Sequence, residues 1–145
     1  MWEFMDDPLP QRFIKVEVWK KATYFTSTRK AVEYVSIHFG ERIELQKIAA
    51  VACMEKTAFS KSFKKKTGIT FRKFLQNYRI SQAVLQIEAS DESITNVALS
   101  VGFESLATFE RVFRRIVGCT PSAYRALFLR NELESDSNNR LQKTN

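Results

Sequence analysis

Apolar residues recur at helical spacing along most of the chain. From Thr28 onward, Ala31, Val32, Val35 and Phe39 share one face and Gly40 supplies a C-terminal stop, which predicts a first helix. Leu45, Ile48, Ala49 and Ala52 fall at i, i+3, i+4 and i+7, the stripe of a two-turn helix ending near Cys53. Phe59 and Phe63 mark the inner side of a third helix, whose other faces carry Lys56, Lys61, Lys64, Lys65 and Lys66 before Gly68 ends it. Upstream the period changes: Ile14, Val16 and Val18 alternate with Lys15 and Glu17, as a short strand would.

Thr70 is placed to cap a longer helix from Phe71 to about Ala89, roughly 28 Å at 1.5 Å per residue. Its pattern is double. Phe71, Phe74, Leu75 and Tyr78 point one way, whereas Ile80, Ala83, Val84 and Ile87 centre on nearly the opposite side at 100° per residue. One helix would therefore serve two cores. Beyond it Ile94, Val97, Ala98 and Val101 form another short helix, Gly102 turns the chain, and Phe109, Val112, Phe113 and Ile116 line the next helix. Thr120 as cap and Pro121 at the first helical position open a last helix through Ala123, Leu127 and Phe128.

The second half thus repeats the first. "LQKIAAVACM" aligns with "ITNVALSVGF" at an offset of 49, and "FSKSFKKKTGITFRKF" with "FERVFRRIVGCTPSAY" at an offset of 50, so one residue is inserted in the second turn. A short helix, a tight turn and a second helix with a basic exposed side form the pattern of a helix-turn-helix, whose second helix enters the major groove of DNA. The expected architecture is all-α, two helix-turn-helix subdomains joined by a long linker helix. Its divisions are residues 1–28 as a leader, 29–89 as the first subdomain with the linker, 90–130 as the second subdomain, and 131–145 as a polar, disordered tail. Successive major-groove faces are about 34 Å apart, similar to the connector's length, so one chain is expected to reach two adjacent turns.

Charge agrees with that reading. The 145 residues carry a net charge of +7, and residues 29–85 hold twelve Lys or Arg against four Asp or Glu while the remainder is near balance. An anionic partner is implied. With 44% hydrophobic residues and twelve Phe the chain can pack a core. The two cysteines lie 66 positions apart beside a single His, so metal-ligand spacing is absent and a reduced, cytoplasmic protein without cofactor is expected. No run of about 18 apolar residues and no signal core occurs, so neither export nor a membrane span is expected.

"VALSVGFESLATFERVFRRIVGCTPSAYR" resembles the signature of the AraC/XylS family of bacterial transcription regulators, and "LQKIAAVACMEKTAFSKSFKKKTGITFRKFLQNYRISQAVLQI" resembles that family's first helix-turn-helix and linker helix. The resemblance spans about residues 29 to 128. It implies a DNA-binding domain that activates, or in some members represses, promoters and contacts RNA polymerase. Carried over by position, the first recognition helix exposes Thr57, Ser60 and Lys61, and the second exposes Leu106, Ala107, Thr108, Glu110 and Arg111. Arg111 suits guanine by bidentate donation, Lys61 a guanine or a phosphate, Glu110 the cytosine N4 amine, and Leu106 or Ala107 a thymine methyl. Lys56, Lys64, Lys65, Arg72, Arg114 and the amides at the starts of both recognition helices are expected at the DNA backbone. The alternatives are a Lys64 to Lys66 run that is simply a solvated face, and an Arg114 or Arg115 that braces neighbouring helices.

Cys53 stands where the family has a turn glycine and where Gly102 stands in the second copy; a positive φ there would cost a Cys about 1–2 kcal/mol. Both thiols are expected to be structural and buried, with a redox role the lesser alternative. Phe103, Phe109 and Phe113 read as core, and His38 as a surface or capping residue. An enzyme is disfavoured because no Cys-His pair, phosphate loop or metal cluster is visible. A protein-interaction module is the second alternative, motivated by the apolar pair Leu106 and Ala107 and by Cys53. Residues 1–28 are too few for a sensory domain, so the chain either acts alone or is part of a larger regulator. Its aromatic leader (Trp2, Phe4, Phe13, Trp19, Tyr24, Phe25) packs on the domain or forms a dimer surface.

Overall fold

The computed structural model describes residues 12–143. Within these residues eight helices follow one another: α1 Val16–Tyr24, α2 Thr26–His38, α3 Leu45–Val51, α4 Lys56–Thr67, α5 Phe71–Ala89, α6 Ile94–Ser100, α7 Leu106–Val117 and α8 Pro121–Lys143. Among the described residues no strand is present. Several helices begin where a side chain satisfies free amides: Ser93 Oγ accepts from Asn96 N at 3.1 Å, Thr70 Oγ1 from Lys73 N at 3.2 Å and Thr120 Oγ1 from Ala123 N at 3.2 Å.

Burial separates into two clusters divided along α5. Phe71, Phe74, Leu75 and Tyr78 belong to the first, with Val32, Val35, Ile48, Phe59 and Phe63. Ile80, Ala83, Val84 and Ile87 belong to the second, with Val97, Phe103, Phe109 and Phe113. The double stripe therefore has its expected physical meaning: the N-terminal half of α5 completes one subdomain and its C-terminal half the other. Aromatic rings fill the first core, with Phe63 edge-on to both Phe71 and Phe74 at centroid separations of 5.5 Å.

Residues 14–18 are not a strand. The chain enters α1 at Val16, and Ile14, Val18, Trp19 and Ala22 form a single buried stripe at helical spacing while Val16 is 61% exposed. The apparent alternation arose because Val16 is an apolar residue on the wet side. Trp19 is 2% exposed and lies over Phe74 and Tyr78 at centroid distances of 6.3 and 6.5 Å, so the leader's described part is packed on the first core. Phe13 packs instead against the second. Trp2 and Phe4 lie outside the described residues.

Two further differences concern helix ends. α8 does not stop near residue 130 but continues to Lys143, with every residue from Leu129 exposed; the expected tail is solvated yet helical as far as it is described. Gly40 is not a left-handed cap. It follows α2 because a Cβ there would stand 2.6 Å from the Ser100 carbonyl oxygen, where the end of α2 meets the end of α6.

That meeting point joins the subdomains. Phe39 packs against both cores. The Arg79 guanidinium, on α5 between the two stripes, donates from Nε to the Phe39 carbonyl at 2.9 Å and from Nη2 to the Glu41 carbonyl at 2.8 Å. Burial depresses the Arg79 pKa and Glu104 opposes the shift; a guanidinium stays charged regardless. On another side residues 12–14 strap the halves together. Arg12 Nη1 reaches Glu88 Oε1 at 2.6 Å, Phe13 N donates to Ser81 Oγ at 3.1 Å, and Ile14 enters the first core.

Replacing Arg79 by Ala leaves two carbonyls at the junction without their charged donor, and is expected to lower stability by about 2 kcal/mol. Arg79→Lys should recover only part, since one ammonium does not reproduce the planar fork. Urea unfolding followed by circular dichroism measures both.

Candidate nucleic-acid interface

The two helix-turn-helix units repeat at the level of individual hydrogen bonds. Met54 N donates to Ala49 O at 2.9 Å and Phe103 N to Ala98 O at 3.1 Å; Cys53 N donates to Ala50 O at 3.0 Å and Gly102 N to Leu99 O at 3.1 Å. Each turn needs one residue in the left-handed region. Gly102 supplies it at φ +99° and Cys53 at φ +59°, the one non-glycine with positive φ among the described residues. The departure from glycine thus leaves the turn's geometry intact.

The surroundings explain why the two positions tolerate different residues. A Cβ on Gly102 would stand 2.4 Å from Phe39 O and 2.8 Å from Arg79 Nε, inside the junction between subdomains. Cys53 faces solvent, so only its backbone torsion carries a cost. The expectation of buried thiols fails here: Cys53 is exposed, Cys119 is partly buried, and both are free.

After each turn a residue caps the recognition helix. Glu55 accepts from Thr57 N at 2.9 Å and Ala58 N at 3.0 Å, and these backbone bonds hold its carboxyl below the usual carboxylate range. Ser105 Oγ accepts from Thr108 N at 3.2 Å. Two of the amides expected at phosphates at the start of α4, and one at the start of α7, are therefore already engaged, and at α4 the engaging group is anionic.

The candidate base readers divide by exposure. Thr57 and Lys61 on α4, and Ala107, Glu110 and Arg111 on α7, are exposed. Ser60 is half-buried, its hydroxyl donating to Lys56 O at 3.1 Å. Thr108 shares a hydrogen bond with Ser105 at 2.9 Å, and Leu106 packs against the second core. Leu106 is thus an anchor of α7 as well as a candidate contact.

Lys56, Lys64, Lys65, Arg72 and Arg114 are all exposed. Two of their basic neighbours are tied to other helices instead. Lys66 donates to Ser27 Oγ at 3.1 Å and lies 5.2 Å from the Phe25 ring centroid, while Arg115 donates to Gln76 Oε1 on α5 at 2.7 Å. Of the two arginines, Arg115 is the brace. Phe103, Phe109 and Phe113 are buried in the second core, and His38 stacks on Tyr34 and pairs with Glu41. Two lysines that sequence reasoning passed over, Lys20 and Lys21 of α1, lie beside Lys61 and Lys65; the leader's balanced charge gave no signal for them.

Among the described residues no group of His, Cys, Asp and Glu is arranged to hold a metal, and no helix is long and apolar enough to cross a membrane. Two helix-turn-helix units on one shared helix define the class. Residues 48–127 match the helix-turn-helix domain family. A Staphylococcus aureus protein described as an uncharacterized HTH-type transcriptional regulator is 37% identical over 93 residues, 64% of this chain and 12% of its own. The arabinose operon regulatory protein of Escherichia coli is 31% identical over 99 residues, 68% of this chain and 34% of its own. The crystallised DNA-binding domain of AdpA, a global transcriptional factor in complex with a target DNA, superposes with a TM-score of 0.66 at 33% identity, covering 69% of this chain and 90% of that one. The chain belongs to the AraC-type helix-turn-helix family, whose members are DNA-binding transcription regulators rather than enzymes. It spans 12% and 34% of the lengths of the two curated relatives.

Cys53→Gly is expected to raise stability by about 1 kcal/mol by relieving the left-handed torsion, whereas Gly102→Ala, strained and sterically blocked, should destabilise by about 2 kcal/mol or more. Thermal unfolding of the two variants reads opposite signs. For Glu55 the depressed folded-state pKa means that its stabilisation is full above the unfolded carboxylate pKa and is lost as pH falls through the folded one. Acid titration should show Glu55→Gln narrowing the stability gap to wild type as pH drops.

Proposed function

We propose that the chain is a sequence-specific double-stranded DNA-binding transcription regulator, an activator, that inserts α4 and α7 into adjacent major-groove segments and contacts RNA polymerase at the promoter. The observation that carries this reading is the duplicated turn: the same hydrogen bonds and a left-handed residue at the same position precede two helices with solvent-facing polar side chains. A packing hairpin has no need to repeat that detail. The likeness to a domain crystallised on its target DNA supports the partner. The site of action is the bacterial nucleoid in the cytoplasm.

Within this reading Arg111 and Lys61 read bases, Thr57, Ala107 and Glu110 refine the choice, and Ser60, Leu106 and Thr108 contribute from the edge of the interface. Lys56, Lys64, Lys65, Arg72 and Arg114 hold phosphates and set register. The engaged amide groups limit what the helix starts add. Glu55, fixed at the head of α4, repels a phosphate there and so favours poses in which the backbone passes along the lysine-bearing flank.

Selection of bound duplexes from a random pool, followed by footprinting, tests the reading: a protected site of about two helical turns is expected. Arg111→Ala should cost about 1–3 kcal/mol on the selected site and relax preference at one base pair. Lys64→Ala should weaken all duplexes alike and reduce the slope of log affinity against log salt by about 0.9. Equal affinity of the wild-type chain for selected and random duplex would overturn the specific reading.

A further inference from the structure

α1 lies against the flank of the first recognition helix, and between them runs an open groove of about 720 Å³. Lys20, Lys21 and Tyr24 line it from α1, Lys61 and Lys65 from α4, and Phe25 from the turn between α1 and α2. Among the described residues no carboxylate lines this groove, and none of the four lysines is in an ion pair. Lys66, by contrast, is held by Ser27 and Phe25 at the same place. Helix packing therefore brings five lysine side chains, Lys66 included, around a mostly apolar groove with Tyr24 and Phe25, and no carboxylate is among its lining residues.

Building such a cluster costs mutual repulsion that an anionic occupant relieves. A sugar-phosphate backbone matches both parts: phosphates meet the ammonium rim, and deoxyribose presents apolar edges to Tyr24 and Phe25. Continuity favours this occupant too, because Lys61 and Lys65 already belong to the interface assigned to DNA. A helix lying in the major groove is flanked by backbone, and α1 widens α4 on one such side.

We propose that α1 is a further DNA-contacting element, with Lys20 and Lys21 binding phosphates of the strand that flanks the first recognition helix. This rests on the DNA-binding reading and extends it beyond the two helix-turn-helix units. The contacts are independent of base sequence, so they add affinity and fix the register of α4 without altering which bases it prefers.

The test uses the full chain and the selected duplex. Fluorescence anisotropy from 50 to 200 mM salt compares wild type with the Lys20→Ala/Lys21→Ala double variant, and with Lys20→Gln/Lys21→Gln as a second form of the same charge removal. Both positions are exposed, so circular dichroism should show the fold unchanged. The expected result is a salt slope lower by about 1.8, from about 0.9 for each phosphate that the variant no longer neutralises. Affinity for random duplex should fall by the same factor as for the selected one. Hydroxyl-radical footprinting should lose sugar protection beside the first half-site while its base preference is kept. An unchanged slope and footprint would overturn the proposal. So would a gain in affinity, which would mean that the lysines hold an acidic occupant such as residues 1–11 with Glu3, Asp6 and Asp7. A wild-type chain with no salt-dependent duplex binding would remove the DNA-binding reading itself, whereas steep wild-type dependence shared by both variants removes only the role of α1.

Discussion

Everything in this molecule depends on one helix whose two halves bury opposite sides. α5 lends its first half to one core and its second half to the other, so neither subdomain's interior is complete without the linker. Their relative placement is then decided where the two sets of packing meet. At that point Arg79 ties the carbonyls that end α2 to the linker, Phe39 enters both cores, and the backbones of Gly40 and Gly102 approach too closely for a side chain. A charged fork between carbonyls is directional in a way that apolar contact is not, so it converts two adjoining cores into a defined angle between two recognition helices.

The same logic explains an asymmetry between the repeats. Both turns require a left-handed residue, yet only the second lies in the junction. Gly102 answers to torsion and to space, Cys53 to torsion alone. Glycine was free to be replaced in the first copy at a modest strain. The braces are also unequal: Arg115 ties α7 back to the linker through Gln76, whereas α4 is steadied from outside by α1 and by Lys66 at Ser27.

What could be read from sequence follows from which interactions leave a periodic trace. The linker's double stripe and the core phenylalanines are burial patterns, and burial imposes a period. The duplicated turn was legible because offsets of 49 and 50 align residue by residue. Val16 misled because one exposed apolar residue in a short stretch imitates alternation. The tail misled because its polar composition does not distinguish a solvated coil from a solvated helix that simply continues α8. Arg79 left no trace at all, since its acceptors are backbone carbonyls 38 and 40 positions away. The same holds for Lys20 and Lys21: only packing brings them to α4. The candidate readers on α4 and α7 were found by position within the repeat, but their depth was not, and the capping that engages the helix-start amides depends on the rotamers of Glu55 and Ser105.

Trp19 carries a practical corollary. Its indole covers Phe74 and Tyr78, both of which belong to the linker's first face. A shortened chain begun at α2, where the repeat itself begins, would uncover that aromatic face and shed the strap at residues 12–14. It would expose sticky surface and loosen the junction between halves, so in this chain α1 and the strap belong to the packed unit along with the duplicated motif.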